Sequence, residues 1–403
     1  MTSLSRLMLV FASFVVFPAA TAFAEDEPKS DTRWRLFVGD HAEGVVRALD
    51  AKTGASAGTF RIDQTPALTR SDSGRTVFAV EGAAGKVATI ATGIALEDHG
   101  EHADLEVTDA RLLPTVLTGK KPAHVVEGSG QIAVFDDGTG DVTLLRESEL
   151  LDGKMRPRVL KLGPAHHGVA VPMGDFLVVS VPDADPEKPR VGLKVVDRDG
   201  GQVGETVACP GVHGQAQSAR TFVFGCKDGI VVATPAKAIG GPALTHISTA
   251  QLGEGNVSTL KGGKAMQFFL GNYGPSAVVL IEPGAEEVFR KVDLPTRRVD
   301  FALDPAKARN AYILTEDGTL HLLDVLSGKI MKSARVTEPY SMDGHWRDPR
   351  PRLAVAGDHI ALTDPRHGLV RMISTETLTE DRTIPVEGTP YTIVAVGGSG
   401  VAH

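Results

Sequence analysis

Seven consecutive residues, from Asp98 to Asp104, carry two imidazoles and three carboxylates in the order Asp-His-Gly-Glu-His-Ala-Asp. His99 and His102 can turn toward one point that Asp104 also reaches. Neutral imidazole nitrogens bind zinc at about 2.0–2.1 Å, and carboxylate oxygens bind it at about 2.0–2.2 Å. Asp98 and Glu101 can hydrogen-bond the imidazoles and orient them. A charged loop with one histidine is normally just solvated, but this combination predicts a divalent-metal site.

A second group of histidines recurs in three segments that begin alike: Pro122-Ala123-His124, Pro164-Ala165-His166-His167 and Pro210-Gly211-Val212-His213. One such histidine would most simply be a core residue bonded to the backbone. Three at equivalent positions of neighbouring repeats would converge and offer a partial tetrahedral site. Adjacent His166 and His167 point to opposite sides of a strand, so only one should join the others.

Two arrangements of these ligands remain open at this point. His124 follows Asp104 by 20 residues and could complete one set with His99, His102 and Asp104. Alternatively, the 98–104 loop forms one site, and a second is built with the help of His166, His167 and His213. The remaining histidines are interpreted as structural or surface residues: His41, His246, His321, His345, His359, His367 and His403.

The elements that position these residues are short strands. Runs rich in Val, Ile, Leu and Phe alternate with Gly and Asp turns, and helical periodicity is nearly absent. Strand starts recur at intervals of 56, 42, 46, 47, 42, 53 and 38 residues, at Pro66, Pro122, Pro164, Pro210, Val257, Val299, Arg352 and Pro390. Four-stranded units of about 40–50 residues are typical of β-propeller blades. We therefore predict an all-β fold, a single propeller of eight blades, with seven as the alternative; two β-sandwiches would not give this recurrence.

The two ends of the predicted propeller complement each other. Residues 389–396 are expected to form the innermost strand of a blade, and residues 34–53 its next two strands. Their pairing would close the ring and remove the exposed sheet edges that an open propeller would present. The long first interval contains the 98–104 segment, which is expected to be an insertion between the third and fourth strands of its blade.

The N-terminus has the pattern of an export signal. Arg6 precedes an apolar run from Leu7 to Phe17, and Ala22-Phe23-Ala24 fits the small-x-small cleavage rule. This predicts a signal peptide over 1–24 with cleavage after Ala24, a disordered segment over 25–33, and the propeller over 34–403. The apolar run is too short to span a bilayer. The mature protein is expected to be periplasmic, without membrane insertion.

Charge and cysteine content agree with an exported protein. The net charge of −8 argues against nucleic acid and anionic membranes as partners. Cys209 and Cys226 are the only cysteines, and an even pair in an oxidising compartment predicts a disulfide. A hairpin of 209–216 with 219–226 would place the two residues opposite each other.

Taken together, the signal peptide, the propeller repeats, the 98–104 segment and the Pro-Ala-His repeats resemble the AztD-type periplasmic zinc metallochaperones. The resemblance covers most of the mature chain, and the histidine-acid loop is its most specific part. It implies a zinc-binding propeller that passes Zn²⁺ to the solute-binding protein of a zinc ABC importer. It also implies His99, His102, Asp104 and His124 as leading ligands, followed by His166, His167 and His213. Asp98 is included as a further candidate ligand because of the residue pattern of the loop itself.

An enzyme is the competing hypothesis. An exported metal-dependent propeller, such as a lactonase or a quinoprotein-type dehydrogenase, would need an open metal position deep in the channel and a general base nearby. The sequence has no His-Glu-x-x-His, Walker loop or Cys-x-x-Cys-His motif. Glycines at 138 and 140 also argue against a calcium loop over 136–147 and favour a β-turn. We therefore expect a carrier without catalytic residues.

Overall fold

The computed structural model describes residues 30–100, 103–235 and 240–402. This part of the chain forms eight sheets arranged as the blades of a propeller, and their strands are antiparallel except for one parallel pair in the blade that holds both chain ends. Its helical elements are a short α-helix, α1 (Glu147–Leu151), and a 3₁₀ turn (Ala250–Leu252). The predicted all-β propeller and its count of eight blades are confirmed.

The strands of blades 1 to 4 follow one another along the chain. Blade 1 contains β4 (Ala67–Arg70), β5 (Thr76–Glu81), β6 (Lys86–Ala91) and the two short strands β9 (Arg111–Leu112) and β10 (Leu117–Thr118), which both pair with β6. Blade 2 contains β11 (Pro122–Gly128), β12 (Gln131–Asp136), β13 (Asp141–Leu145) and β14 (Arg158–Lys161). Blade 3 contains β15 (Ala170–Met173), β16 (Phe176–Val181), β17 (Gly192–Val196) and β18 (Gln202–Ala208). Blade 4 contains β19 (Gln215–Ser218), β20 (Thr221–Gly225), β21 (Gly229–Thr234) and β22 (Ala243–Ser248).

Blades 5 to 8 repeat the pattern, and the last combines both ends of the chain. Blade 5 contains β23 (Leu260–Lys261), β24 (Phe269–Asn272), β25 (Ala277–Ile281) and β26 (Phe289–Asp293). Blade 6 contains β27 (Arg298–Leu303), β28 (Asn310–Thr315), β29 (Thr319–Asp324) and β30 (Lys329–Arg335). Blade 7 contains β31 (Leu353–Ala356), β32 (His359–Asp364), β33 (Leu369–Ser374) and β34 (Glu380–Pro385). Blade 8 contains β35 (Pro390–Ala402), β1 (Ser30–Asp40), β2 (Val45–Asp50) and β3 (Ser56–Arg61), and the hairpin of β7 (Ile94–Asp98) and β8 (Ala103–Val107) joins its sheet.

The ring is closed by the pairing of β1 with β35. The ladder runs from Ser30 opposite Val401 to Asp40 opposite Pro390, as predicted for the two ends. β1 begins four residues before the expected start at Trp34, so residues 30–33 belong to the strand and not to a disordered segment. Residues 1–29, which include the predicted signal peptide and its cleavage site, lie outside the described residues.

Strand direction divides the loops between two ends of the propeller. We call the end at which the innermost strands begin the top face, and the end at which they finish the bottom face. Because successive strands are antiparallel, connections from second to third strands, and from one blade to the next, lie at the top face. Turns between first and second strands, and connections from third to fourth strands, lie at the bottom face. The topology therefore assigns any loop residue to a face.

Apolar side chains fill the spaces between neighbouring blades. Central strands such as β5 and β25 are buried along their whole length because another blade covers each face. The outermost strand β18 is largely exposed. One core cluster joins Val178 of blade 3 to Val231 of blade 4, and another joins Tyr312 of blade 6 to Ile360 of blade 7. Such repeat folds are stabilised mainly by contacts between adjacent units.

The predicted disulfide is present, but the predicted hairpin register is wrong. Cys209 and Cys226 are bonded, with their Cα atoms 5.0 Å apart. β19 and β20 pair with Ser218 opposite Thr221, so the turn is centred two residues later than expected. Cys209 precedes the hairpin, in the connection from blade 3 that turns back toward the end of β20. In the described part of the chain, no helix has the length and apolar character needed to cross a membrane.

Candidate metal centre

Three histidines from three consecutive blades meet at the top face. His124 lies near the start of β11, His167 in the connection from β14 to β15, and His213 in the connection from β18 to β19. Nε2 of His124 is 3.3 Å from Nε2 of His167. The ring centroid of His213 is 5.5 Å from that of His167 and 6.5 Å from that of His124. We call these three residues the histidine cluster.

The spacing within the cluster suits a tetrahedral metal ion. Two nitrogens that each lie about 2.0–2.1 Å from a tetrahedral zinc are about 3.3–3.4 Å apart. The distance of 3.3 Å between His124 and His167 agrees with this value. The ring of His213 lies farther out, so a side-chain rotation would be needed for it to become a third ligand.

Hydrogen bonds orient two of the three rings. Nδ1 of His167 donates to a carboxylate oxygen of Asp137 at 2.6 Å, and the other oxygen accepts the Gly168 N–H at 3.3 Å. Nδ1 of His213 donates to the Ser258 carbonyl oxygen at 2.9 Å. In each neutral ring the proton is therefore on Nδ1, and Nε2 carries the lone pair that can bind a metal. A carboxylate or carbonyl in this position also makes the imidazole a stronger ligand.

Burial keeps two rings of the cluster in the protonation state that binds metals. Burial, followed by the nearby His167, lowers the pKa of His124 to about 4. Burial also lowers the pKa of His213, against the hydrogen bond to Ser258. Both rings are therefore neutral at neutral pH, so zinc does not have to displace a proton from either one.

The cluster borders a cavity of about 10 Å³, which is room for about one water molecule or one metal ion. Arg190 also lines this cavity, and its Nε donates to the Val212 carbonyl oxygen at 3.0 Å. This bond holds the connection that carries His213. The positive charge of Arg190 also favours the neutral forms of His124 and His213.

His166 is placed differently from its neighbour. Its Nδ1 donates to the Pro164 carbonyl oxygen at 2.9 Å, and its Nε2 accepts from the Ser180 hydroxyl at 3.0 Å. Its ring contacts Phe135 edge-on, with 5.1 Å between the centroids. Both nitrogens of His166 are therefore engaged within the protein, and only His167 faces the cluster.

The 98–104 segment forms the tip of the β7–β8 hairpin at the bottom face. It lies between the third and fourth strands of blade 1, as predicted, and β8 pairs with the end of β35 through Asp104 opposite Val401. Nε2 of His99 is 3.1 Å from a carboxylate oxygen of Asp104. The carboxylate of Asp98 accepts the Gly100 N–H at 2.8 Å and shapes the turn. His102 and Glu101 lie outside the described residues.

The structure separates the two groups of candidate ligands. His124 begins its strand at the top face, whereas His99 and Asp104 lie at the bottom face. The single set that would join His124 to His99 and Asp104 is therefore not formed, because the innermost strand spans the height of the ring between the two faces. Of the two arrangements left open by the sequence, the described residues agree with two separate groups.

Three residues of the candidate centre were not singled out by the sequence. Asp137, in the turn from β12 to β13, orients His167, and the Ser258 carbonyl orients His213. Arg190 borders the cavity from blade 3. Once the four-strand repeat is assigned, the position of Asp137 after a second strand places it at the top face near His167. The contributions of Arg190 and Ser258 depend on tertiary contacts that no local pattern indicates.

The other described histidines form local contacts. His41 donates from Nε2 to the Arg347 carbonyl oxygen, and His321 is buried between Thr315 and Ser333. Three others pair with aspartates: His246 with Asp228, His359 with Asp381 and His367 with Asp364. His345 stacks on Trp346. His403 lies outside the described residues. One further group of possible metal ligands was found among the described residues, Cys226, Asp228 and His246, but the disulfide removes the thiolate that such a site requires.

Comparisons with known proteins connect the chain to a zinc chaperone. No family model matches it. It is 46% identical over 404 residues to the zinc chaperone AztD of Citrobacter koseri, an alignment that covers all of this chain and 93% of the relative.

Solved structures give the same result. The crystal structure of Citrobacter koseri AztD matches with a TM-score of 0.90 and 47% identity, covering 93% of this chain and all of that one. The apo form of the same protein matches with a TM-score of 0.86 and 45% identity, covering 92% of this chain and 99% of that one. The dihydro-heme d1 dehydrogenase NirN, at 14% identity and a TM-score of 0.57 over 89% of this chain and 74% of that one, shares the fold alone.

Proposed function

This chain belongs to the AztD family of zinc chaperones, and from that premise we propose that it is a periplasmic metallochaperone. It binds Zn²⁺ as cargo and delivers it to the solute-binding protein of a zinc ABC importer. The family is named for a chaperone, so the alternative of a lactonase or a quinoprotein-type dehydrogenase is not retained.

The main support for placing the zinc site at the histidine cluster is one distance. The Nε2 atoms of His124 and His167 are 3.3 Å apart, the separation expected of two ligands on one tetrahedral zinc. His213 is the third ligand, and the fourth position is open to water or to a ligand from the partner. A site with an open position can exchange its metal more readily than a closed one, which suits transfer.

The hairpin at the bottom face is proposed as a second, weaker zinc site. His99 and Asp104 supply an imidazole and a carboxylate 3.1 Å apart, and His102 is the additional ligand expected from the sequence. Because this site offers at most two imidazoles, against three in the cluster, we expect it to hold zinc less tightly. This site does not share a ligand with the histidine cluster.

Zinc titration of matched variants tests the two sites. The wild-type protein is compared with His124→Ala/His167→Ala and with His99→Ala/His102→Ala, using a competing chelator to define affinity. We expect the first variant to lose the tight site and the second to keep it. Loss of the tight site only in the second variant would move the cargo site to the hairpin. Absence of zinc binding by wild type would overturn the chaperone assignment.

Delivery is tested by mixing zinc-loaded protein with the metal-free solute-binding protein. A chelator in excess, which takes zinc from the loaded protein only slowly compared with the time of the transfer, captures any zinc that is released to solution. Direct transfer predicts that the acceptor is loaded in spite of the chelator. If the acceptor stays empty while the chelator fills, zinc passes through free solution and the protein is a store that does not deliver.

A further inference from the structure

We propose that the Cys209–Cys226 disulfide masks a second type of metal site, in which Cys226, Asp228 and His246 bind a thiophilic divalent cation once the bond is broken. This site is distinct from the histidine cluster and from the hairpin. It would take Zn²⁺ or Cd²⁺, the ions favoured by a thiolate combined with imidazole and carboxylate.

The three ligand atoms are already close together. The Cys226 sulfur, an Asp228 carboxylate oxygen and a His246 ring nitrogen all lie within 4.8 Å of one another. Nε2 of His246 and Oδ1 of Asp228 are 3.1 Å apart. Around a tetrahedral zinc, such sulfur, nitrogen and oxygen ligands are about 3.4–3.6 Å apart. Movements of about an ångström by side chains would therefore bring all three to one ion.

The backbone holds these residues in place without the disulfide. Cys226 follows β20 and donates its N–H to the Gly229 carbonyl oxygen at 2.9 Å, closing the turn that contains Asp228. His246 is in β22, opposite Val231 of the neighbouring strand β21. The sheet of blade 4 thus presents the thiol, the carboxylate and the imidazole at its top edge. Loss of the bond to Cys209 leaves this ladder of hydrogen bonds intact.

The bond is what prevents metal binding in the oxidised protein. A disulfide sulfur carries no thiolate charge, and the thiolate is the form that binds metals. A dithiol reductant transfers two electrons and two protons to the disulfide and is itself oxidised to a disulfide, leaving two thiols. A divalent cation then binds Cys226 as the thiolate, and the thiol proton passes to solvent. His246, Asp228 and water complete the coordination.

The same bond links this site to the histidine cluster. Cys209 begins the connection that carries His213, and Lys227 donates its N–H to the Pro210 carbonyl oxygen at 2.8 Å. The N–H of His213 in turn bonds to the Gly225 carbonyl oxygen at 3.0 Å. The segment that contains Cys226 and Asp228 therefore contacts the connection that carries His213. Breaking the disulfide removes one of the links that hold this connection in place.

Cobalt binding to a Cys209→Ser variant is the direct test, because this change frees the Cys226 thiol without a reductant. Co²⁺ bound to a thiolate gives a sulfur-to-metal charge-transfer band in the near ultraviolet that imidazole and carboxylate ligands do not give. Cys209 and Cys226 are the only cysteines in the chain, so the band reports this site alone. Cys209→Ser/Cys226→Ser is the matched control, since it also lacks the bond but has no thiol.

We expect one additional Co²⁺ per chain and the band in Cys209→Ser, with neither in the double variant. Adding His246→Ala or Asp228→Asn to Cys209→Ser should weaken binding at least tenfold. A folded Cys209→Ser protein without the band overturns the proposal, as does a band of unchanged affinity in both added variants. Should Cys209→Ser fail to fold, the wild-type protein is reduced with a phosphine and the phosphine is removed. Co²⁺ binding to this protein is then judged by the same criteria. Zinc binding by oxidised wild type is measured separately, so failure here leaves the histidine cluster untouched.

Discussion

The Nε2 atoms of His124 and His167 lie 3.3 Å apart, although 43 residues separate them in the chain. Each belongs to a different blade, and the top face brings them together because both occupy the start of a repeat. The carboxylate of Asp137 fixes the ring of His167, and burial keeps His124 neutral. A pair of imidazoles so arranged is prepared to share one metal ion.

The adjacent histidines of blade 3 allow a matched comparison of ligand and non-ligand. His167→Ala should weaken zinc binding by more than about 100-fold, because it removes a direct ligand. Loss of a ligand's hydrogen-bond partner alone typically weakens metal binding by about 10–100-fold. His166→Ala should change zinc affinity by less than about tenfold, because His166 bonds to Pro164 and Ser180. Competition titration with a chelator measures both. Equal losses of zinc affinity in the two variants would contradict the assignment of His167, and not His166, as the ligand.

Asp137 is expected to act through His167. Asp137→Asn keeps the shape of the side chain but removes the negative charge that accepts the Nδ1 proton. Zinc affinity should fall by about 10–100-fold, with thermal stability of the metal-free protein little changed. Affinity and melting temperature are measured on the same preparation. An unchanged affinity would show that the hydrogen bond of 2.6 Å is not needed to orient the ligand.

Zinc affinity should depend on pH in a direction set by the imidazoles. Protons compete with zinc for neutral rings, so affinity falls as the pH is lowered. An exposed histidine has a pKa near 6.5, but burial lowers the pKa of His124 to about 4 and also lowers that of His213. The part of the decline that is due to protonation of these two rings should therefore begin below the pH expected for exposed histidines. Titrations at several pH values test this, and a flat profile from neutral to acidic pH would contradict histidine ligation.

The bottom-face hairpin should be independent of the cluster. His99→Ala/His102→Ala should remove at most one weak zinc per chain and leave the tight site within about twofold, because sites without shared ligands behave additively. Metal analysis after dialysis gives the number bound, and competition gives the affinity. A tenfold loss at the tight site would mean that the two groups are coupled.

Glu316 offers a stability test away from the metal. The hydrogen bonds from Arg297 lower the pKa of Glu316 to about 2, against burial, and Thr296 adds a bond at 2.7 Å. In the unfolded chain the pKa of this carboxyl is near 4.5. The stabilisation is therefore fully present above pH 4.5, and it is lost as the pH falls toward the folded-state pKa of about 2. Glu316→Gln should therefore lower the free energy of unfolding by about 1 kcal/mol at pH 7, because solvent screens this partly exposed ion pair. The difference from wild type should shrink between pH 4.5 and pH 2 in urea titrations, and a constant difference would contradict the ion pair.

Local patterns in the sequence were sufficient to predict the scaffold. Short apolar runs, Gly and Asp turns and the recurring interval predicted a propeller, and the repeat count predicted its eight blades. The complementary ends predicted the pairing of β1 with β35. These features follow from side-chain alternation and turn chemistry, which act over a few residues. The same periodicity placed the 98–104 insertion between the third and fourth strands of its blade.

Tertiary structure alone decided which candidate ligands share a site. His124 is close in sequence to Asp104 but lies at the opposite face. Between them the chain crosses to the top face, where the innermost strand β11 begins. His213 is far in sequence from His124 but is its neighbour in space. The Cys209–Cys226 bond was expected, yet its geometry came from a connection that folds back and not from the predicted hairpin. Sequence determines residue types and repeats, whereas convergence depends on strand direction and on how the ring closes.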